Sequence, residues 1–112
     1  MDTYYNDQAK YVFDFMGVLS KENPKIAEGI KVMGAAVGAD KALSAKHKAL
    51  IALGISITIR CEGCIAVHMK SALSAGANPE EIMETIGVSV SMGGGPSVVY
   101  GDKAYKAMKE MM

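Results

Sequence analysis

Positions 61 and 64 hold the chain's two cysteines, in Arg60-Cys61-Glu62-Gly63-Cys64-Ile65-Ala66-Val67-His68, and one of its two histidines follows four residues after the second. The thiolate is the reactive and metal-binding form of cysteine, and a C-x-x-C brings two thiols close enough to share a bond or an ion. On a helix, Cys61 and Cys64 stand at i, i+3 and Cys64 and His68 at i, i+4, so all three share one face. A helix beginning near Arg60 puts Cys61 in its first turn, where free N–H groups and the positive dipole end favour a thiolate. His68, one turn after Cys64, is placed to take its proton directly or through a water. Gly63 leaves space for the backbone of a substrate or partner. Such a pair can attack a peroxide or a disulfide, the second thiol then closing an intramolecular disulfide.

Two other readings of the same residues stand beside this one. Two thiolates and an imidazole could fill three of the four tetrahedral positions around zinc, with His47 or a carboxylate as the fourth ligand. Structural zinc sites usually bring a second knuckle, and the two cysteines here are already used by the first. Alternatively, Cys61 and Cys64 are two small hydrophobes inside a helical core.

The elements that must position these residues follow from apolar spacing and from helix start and stop signals. Tyr11, Val12, Phe15, Met16 and Leu19 recur with helical period. Asn23-Pro24 marks a second helix, which carries Ile26, Ile30, Met33 and Val37 on one face and stops at Gly38. Ser44 is the N-cap of a third, in which His47 is a surface residue of the first turn. The stretch Ile55-Ser56-Ile57-Thr58-Ile59 alternates like a strand, as does Gly87-Val88-Ser89-Val90-Ser91-Met92. Helix is favoured for both, with a two-stranded pairing as the alternative. The fourth helix carries the cysteines and ends at Gly76. Asn78-Pro79-Glu80-Glu81 opens a fifth with cap, N1 proline and an acid three residues after the cap. It runs to the Gly93-Gly94-Gly95-Pro96 break, where a tight helix junction fits better than a phosphate cradle because no strand or lysine accompanies the glycines. Val98, Tyr105, Met108 and Met112 share one face of the last helix. The expectation is an all-α single domain of about six helices over residues 1–112.

Bulk properties exclude some partners. With 12 basic and 12 acidic residues the net charge is zero, which favours neither nucleic acid nor an anionic membrane. The longest apolar run, Ala49 to Ile59, is too short to span a bilayer. The polar start, Met1-Asp2-Thr3-Tyr4-Tyr5-Asn6-Asp7, is unlike a signal peptide, so a cytoplasmic location is expected, where a C-x-x-C serves catalysis or metal binding. Half of the 112 residues are hydrophobic and mean hydropathy is +0.16, more than a small monomer needs to bury, so a homo-oligomer is expected.

Lys46-His47-Lys48-Ala49-Leu50-Ile51-Ala52-Leu53 followed by Arg60 to His68 resembles the core of the carboxymuconolactone decarboxylase-like superfamily, and more closely its AhpD-like (alkylhydroperoxidase D-like) branch. Ala75 to Ile82 and Met92 to Pro96 are similar to that branch as well. The resemblance covers about residues 25–110, and C-x-x-C-x-x-x-H is its specific part. It implies an AhpD-like helical fold, assembly as trimers or hexamers, and neither metal nor cofactor. It also makes helices of both contested stretches. The implied activity is that of a thiol-dependent oxidoreductase, a peroxidase of peroxiredoxin type or a disulfide reductase. Its substrate would be a hydroperoxide or disulfide, and a dithiol or electron-transfer protein would serve as reductant. In that scheme Cys64 attacks, Cys61 resolves and His68 relays protons. The chain departs from the branch at Ala49, twelve residues ahead of the first cysteine, where AhpD-like enzymes usually carry a glutamate. Glu28 or Glu62 would have to stand in. The departure bears on hydroperoxide reduction more than on thiol–disulfide exchange, since a pre-formed thiolate exchanges without a relay. The decarboxylase branch lacks the cysteine pair, which leaves lactone decarboxylation, and a metal-binding or purely structural module, as the alternatives.

Overall fold

Each start signal read from the sequence begins a helix in the computed structural model, which describes residues 2–112. The order is α1 (Tyr4–Glu22), α2 (Pro24–Gly38), α3 (Ala45–Thr58), α4 (Glu62–Ser74), α5 (Pro79–Gly93) and α6 (Gly95–Met111). The protein is all-α, and both contested stretches are helical. Ile55 to Thr58 close α3 with Ile59 as its C-cap, and Val88 to Met92 belong to α5. A strand would need a partner for its N–H and C=O groups, whereas the helix satisfies them within the segment.

Side-chain capping bonds start three of the six helices. Ser44 Oγ accepts the His47 N–H at 3.1 Å and starts α3. Asn78 and Glu81 form a reciprocal capping box at 2.8 and 2.9 Å, and Lys46 of α3 pairs with Glu81 at 2.8 Å. Asn23 is the N-cap of α2 by position only, since its side chain makes no capping bond. Gly38 is the last helical residue of α2, not the residue after it, and Ala39 is the C-cap. At the α5–α6 junction the chain breaks at Gly94 alone (φ 69°). Gly93 is needed for a different reason: a Cβ there would clash with Ser97 Oγ.

The core gathers around α4, whose Ile65, Ala66, Met69 and Ala72 are fully buried and pack with Leu53 and Ile57 of α3, Ile82 of α5 and Ala104 and Ala107 of α6. Each buried Ile, Leu or Met side chain contributes about 1.5–3 kcal/mol, which makes α4 the best-anchored element. The carboxylate of Glu110 on α6 accepts the N–H groups of Tyr5 and Asn6 at 3.0 and 2.6 Å and so holds the first turn of α1 to the last helix.

The faces expected to be buried differ from those observed in three helices. In α6 the buried residues are Ser97, Gly101, Ala104, Ala107 and Met108, while Val98, Tyr105 and Met112 are exposed. Small side chains let α6 approach α4 and α5 closely, and at Gly101 even a Cβ would meet Ile86 at 2.9 Å. In α1 Tyr5 and Ala9 are buried while Tyr11 and Phe15 face outward. In α2 only Ala27 is buried.

Candidate active site

The thiol pair lies where two helices meet. At the end of α3 the Arg60 N–H reaches Ile57 O and the Cys61 N–H reaches Ser56 O, both at 3.1 Å, a Schellman closure with Arg60 at the left-handed position (φ 61°). The same closure ends α4, where Gly76 (φ 95°) takes that position. A side chain in left-handed backbone costs roughly 1–2 kcal/mol, which the two closure bonds and the packing of α3 against α4 offset. Nothing in the residue type of Arg60 announced this turn, since glycine is the usual signal.

Cys61 is therefore the N-cap of α4, one position outside the helix and not in its first turn as the spacing had implied. Its Sγ accepts the Cys64 N–H at 3.2 Å, and Cys64 is the third helical residue. The two cysteines are joined by a disulfide with Cα atoms 5.2 Å apart. The chain thus contains an intramolecular Cys61–Cys64 couple, half-buried at both ends. His68 sits one turn further along α4 on the same face, also half-buried. Burial lowers its pKa below the ordinary imidazole value, so the ring is neutral near pH 7.

Three neighbours differ from expectation. Gly63 is not an open approach for a partner's backbone: Val12 of α1 lies over it, its Cγ2 3.4 Å from where a Cβ would be. Glu62 is engaged elsewhere, 3.9 Å from Lys103 of α6 and near enough to the Tyr4 hydroxyl to raise its pKa. Glu28 lies exposed on α2, a helix that packs on α1 and α3 and makes no contact with α4. Ala49 packs against the core from α3.

His47 is exposed at the start of α3, where its ring and backbone both bond Ser44. Among the described residues no three His, Cys, Asp or Glu side chains converge as a metal site would need. An apolar groove of about 540 Å³ between α3 and α5 reaches as far as Ile59 and includes none of Cys61, Cys64 and His68. Among the described residues no helix is long and apolar enough to cross a membrane.

A six-helix fold with a C-x-x-C at the start of its central helix defines the class, and comparison with known proteins agrees. The carboxymuconolactone decarboxylase family model matches residues 24–107, and the chain belongs to that family. A carboxymuconolactone decarboxylase family protein from Legionella pneumophila superposes with a TM-score of 0.94 at 33% identity, covering 98% of both chains. A second, from Thermotoga maritima and with a suggested part in the antioxidative response, superposes with a TM-score of 0.82 at 22% identity. That match covers 92% of this chain and 88% of the other, and the likeness is one of fold. By sequence, an uncharacterized protein from Haemophilus influenzae is 36% identical over 72 residues, 64% of each chain and so just under two thirds of that protein's length. An uncharacterized protein of the cox locus of Paracoccus denitrificans is 32% identical over 96 residues, 86% of each chain.

Proposed function

We propose that the protein is a thiol-dependent oxidoreductase in which Cys61 and Cys64 alternate between dithiol and disulfide. The observation that carries the reading is the Cys61–Cys64 bond across the start of α4, with the Cys64 N–H aimed at the Cys61 sulfur. A backbone N–H and the helix dipole stabilise negative charge on that sulfur, which makes it a good resolving nucleophile and a good leaving group on re-reduction.

In the cycle, His68 accepts the Cys64 proton and the Cys64 thiolate attacks one sulfur of a partner disulfide, releasing the other as a thiolate. Cys61 then attacks the Cys64 sulfur, closing the intramolecular disulfide and releasing the second thiolate of the partner. Two electrons pass from the couple to the substrate. With a hydroperoxide, Cys64 takes the terminal oxygen to become a sulfenic acid while the alcohol leaves with a proton from His68. Cys61 displaces that oxygen as water. A dithiol or an electron-transfer protein returns the electrons in a cytoplasmic setting. Because Ala49 supplies no acid and Glu62 is engaged with Lys103 and Tyr4, disulfide exchange is the better-supported half of the activity.

The test is a titration of free thiols in the reduced protein before and after one equivalent of hydroperoxide, and separately of a model disulfide. Loss of two thiols per chain with the disulfide, fast relative to a Cys64→Ser variant, is expected. Retention of both thiols against either oxidant would refute the reading. The decarboxylase alternative instead predicts that Cys61→Ser and Cys64→Ser leave the reaction intact.

A further inference from the structure

The chain exposes 7029 Å², whereas a compact monomer of its 11.8 kDa would expose about 5,900 Å². Its radius of gyration is 14.2 Å, against about 13.2 Å for a typical domain of this length. The surplus of roughly 1,100 Å² exceeds the ~800 Å² that one partner gives up in a stable interface.

Two exposed apolar surfaces on different helices are complementary to one another. One is a ridge. Ile26, Ile30, Met33 and Val37 of α2 fall within about 60° of one another around the helix axis, and all four are exposed, Met33 at 63%. Glu28 and Lys31 lie on the opposite side. The helix packs on α1 and touches α3 without reaching α5, so the ridge finds no cover in its own chain. The other is the groove between α3 and α5, whose walls include Ile51, Ile55 and Ile59 on one side and Val88 and Met92 on the other. Gly54 forms part of its floor, where the Ser89 hydroxyl bonds Gly54 O at 3.1 Å. The lining carries no carboxylate, lysine or arginine, and the ridge carries none either.

The two surfaces match in length and shape. From Ile26 to Val37 the ridge is roughly 17 Å long, and from His47 to Ile59 the groove wall is roughly 18 Å. A convex row of apolar side chains fills a concave trough, whereas groove on groove would leave a void between two hollows.

We infer that α2 of a second copy of this chain lies in the groove between α3 and α5, Ile30 and Met33 seated against Ile55 and Val88. The interface joins two different surfaces of the chain, so every copy offers one ridge and one groove. Ile59 ends the groove two residues before Cys61, so assembly also brings the neighbouring copy's α2 beside the thiol pair.

Sedimentation of the full chain tests this. The wild type is expected at two or more times 11.8 kDa. Ile55→Glu spoils the groove and Met33→Glu spoils the ridge; both side chains are exposed in the single chain, so the fold is kept, which far-ultraviolet circular dichroism checks. Each variant alone should fall to the mass of one chain. Mixed in equal amounts they should form a two-chain species, because the intact ridge of one fits the intact groove of the other. A monomeric wild type, variants that still assemble alone, or a mixture that stays monomeric would each overturn the assignment. Thiol titration of the same samples is read separately, so a failure of the proposed redox activity is distinguishable from a failure of this interface.

Discussion

The backbone N–H of Cys64 points at the sulfur of Cys61, 3.2 Å away, while the N–H of Cys61 itself is bonded to Ser56 O at 3.1 Å. One cysteine thus closes α3 through its backbone and opens α4 through its side chain. The position of the thiol pair is set by the two most tightly packed helices of the fold, and the sulfur that caps α4 is the one the proposed cycle would release as a thiolate on re-reduction.

The cap can be measured apart from the disulfide. In the presence of reductant, Cys61→Ser keeps an oxygen acceptor for the Cys64 N–H and Cys61→Ala removes it. Cys61→Ala is expected to be less stable than Cys61→Ser by about 1 kcal/mol, roughly 5 °C in Tm for a chain of this size. Equal melting temperatures would show that the sulfur does not act as a cap.

Arg60 tests the turn that joins the two helices. Its φ of 61° disfavours a β-branched side chain most and glycine least. Arg60→Gly should be stabilising by about 0.5 kcal/mol, the relief of backbone strain exceeding the added freedom of the unfolded chain. Arg60→Val should destabilise by more than about 1 kcal/mol. Urea midpoints in the opposite order would contradict the left-handed conformation.

His68 predicts a pH dependence. Burial holds its pKa below the ordinary 6.5, so the unfolded chain takes up the proton first as pH falls. The stability associated with the neutral ring is fully present above pH 6.5 and is lost as pH falls below it toward the folded value. Glu81, whose carboxyl is held low by its bonds to Lys46 and the Asn78 N–H, titrates below this window. Wild type compared by urea unfolding at pH 7.5 and 5.5 should lose more stability than His68→Gln does over the same interval. Parallel losses would place the ring in solvent. If His68 relays protons, the same substitution should also flatten the acid limb of the rate of thiol oxidation.

Ala49 predicts a gain of function. It packs at the edge of the core on α3, the helix most closely apposed to α4. Ala49→Glu would introduce a partly desolvated carboxyl with a raised pKa, suited to proton transfer near neutrality. Hydroperoxide consumption should rise about tenfold or more, with disulfide exchange unchanged and a stability cost of about 1–3 kcal/mol. A folded variant with no gain toward peroxide would mean that the missing acid is not what limits that reaction.

The sequence determined what is local. Asn78-Pro79-Glu80-Glu81 specifies a capping box because cap and acceptor lie within one turn, and the same is true of Ser44 with His47. C-x-x-C-x-x-x-H sets the two cysteines and the histidine on or beside one helical face by spacing alone. What the tertiary structure decided is everything that depends on a neighbour. The left-handed turn at Arg60 is imposed by the way α3 meets α4, with no glycine to announce it. Val12 covers Gly63 because α1 crosses α4 there, and Glu62 is drawn to Lys103 and Tyr4 because α6 and α1 flank the start of its helix. In α6 the alanine and glycine face is buried in place of the more apolar row through Val98 and Tyr105, since close approach of helices rewards small side chains. The row on α2 reads as a core face by period, yet within one chain it faces outward. Periodicity records that a face must be covered; only packing shows whether the chain's own helices cover it.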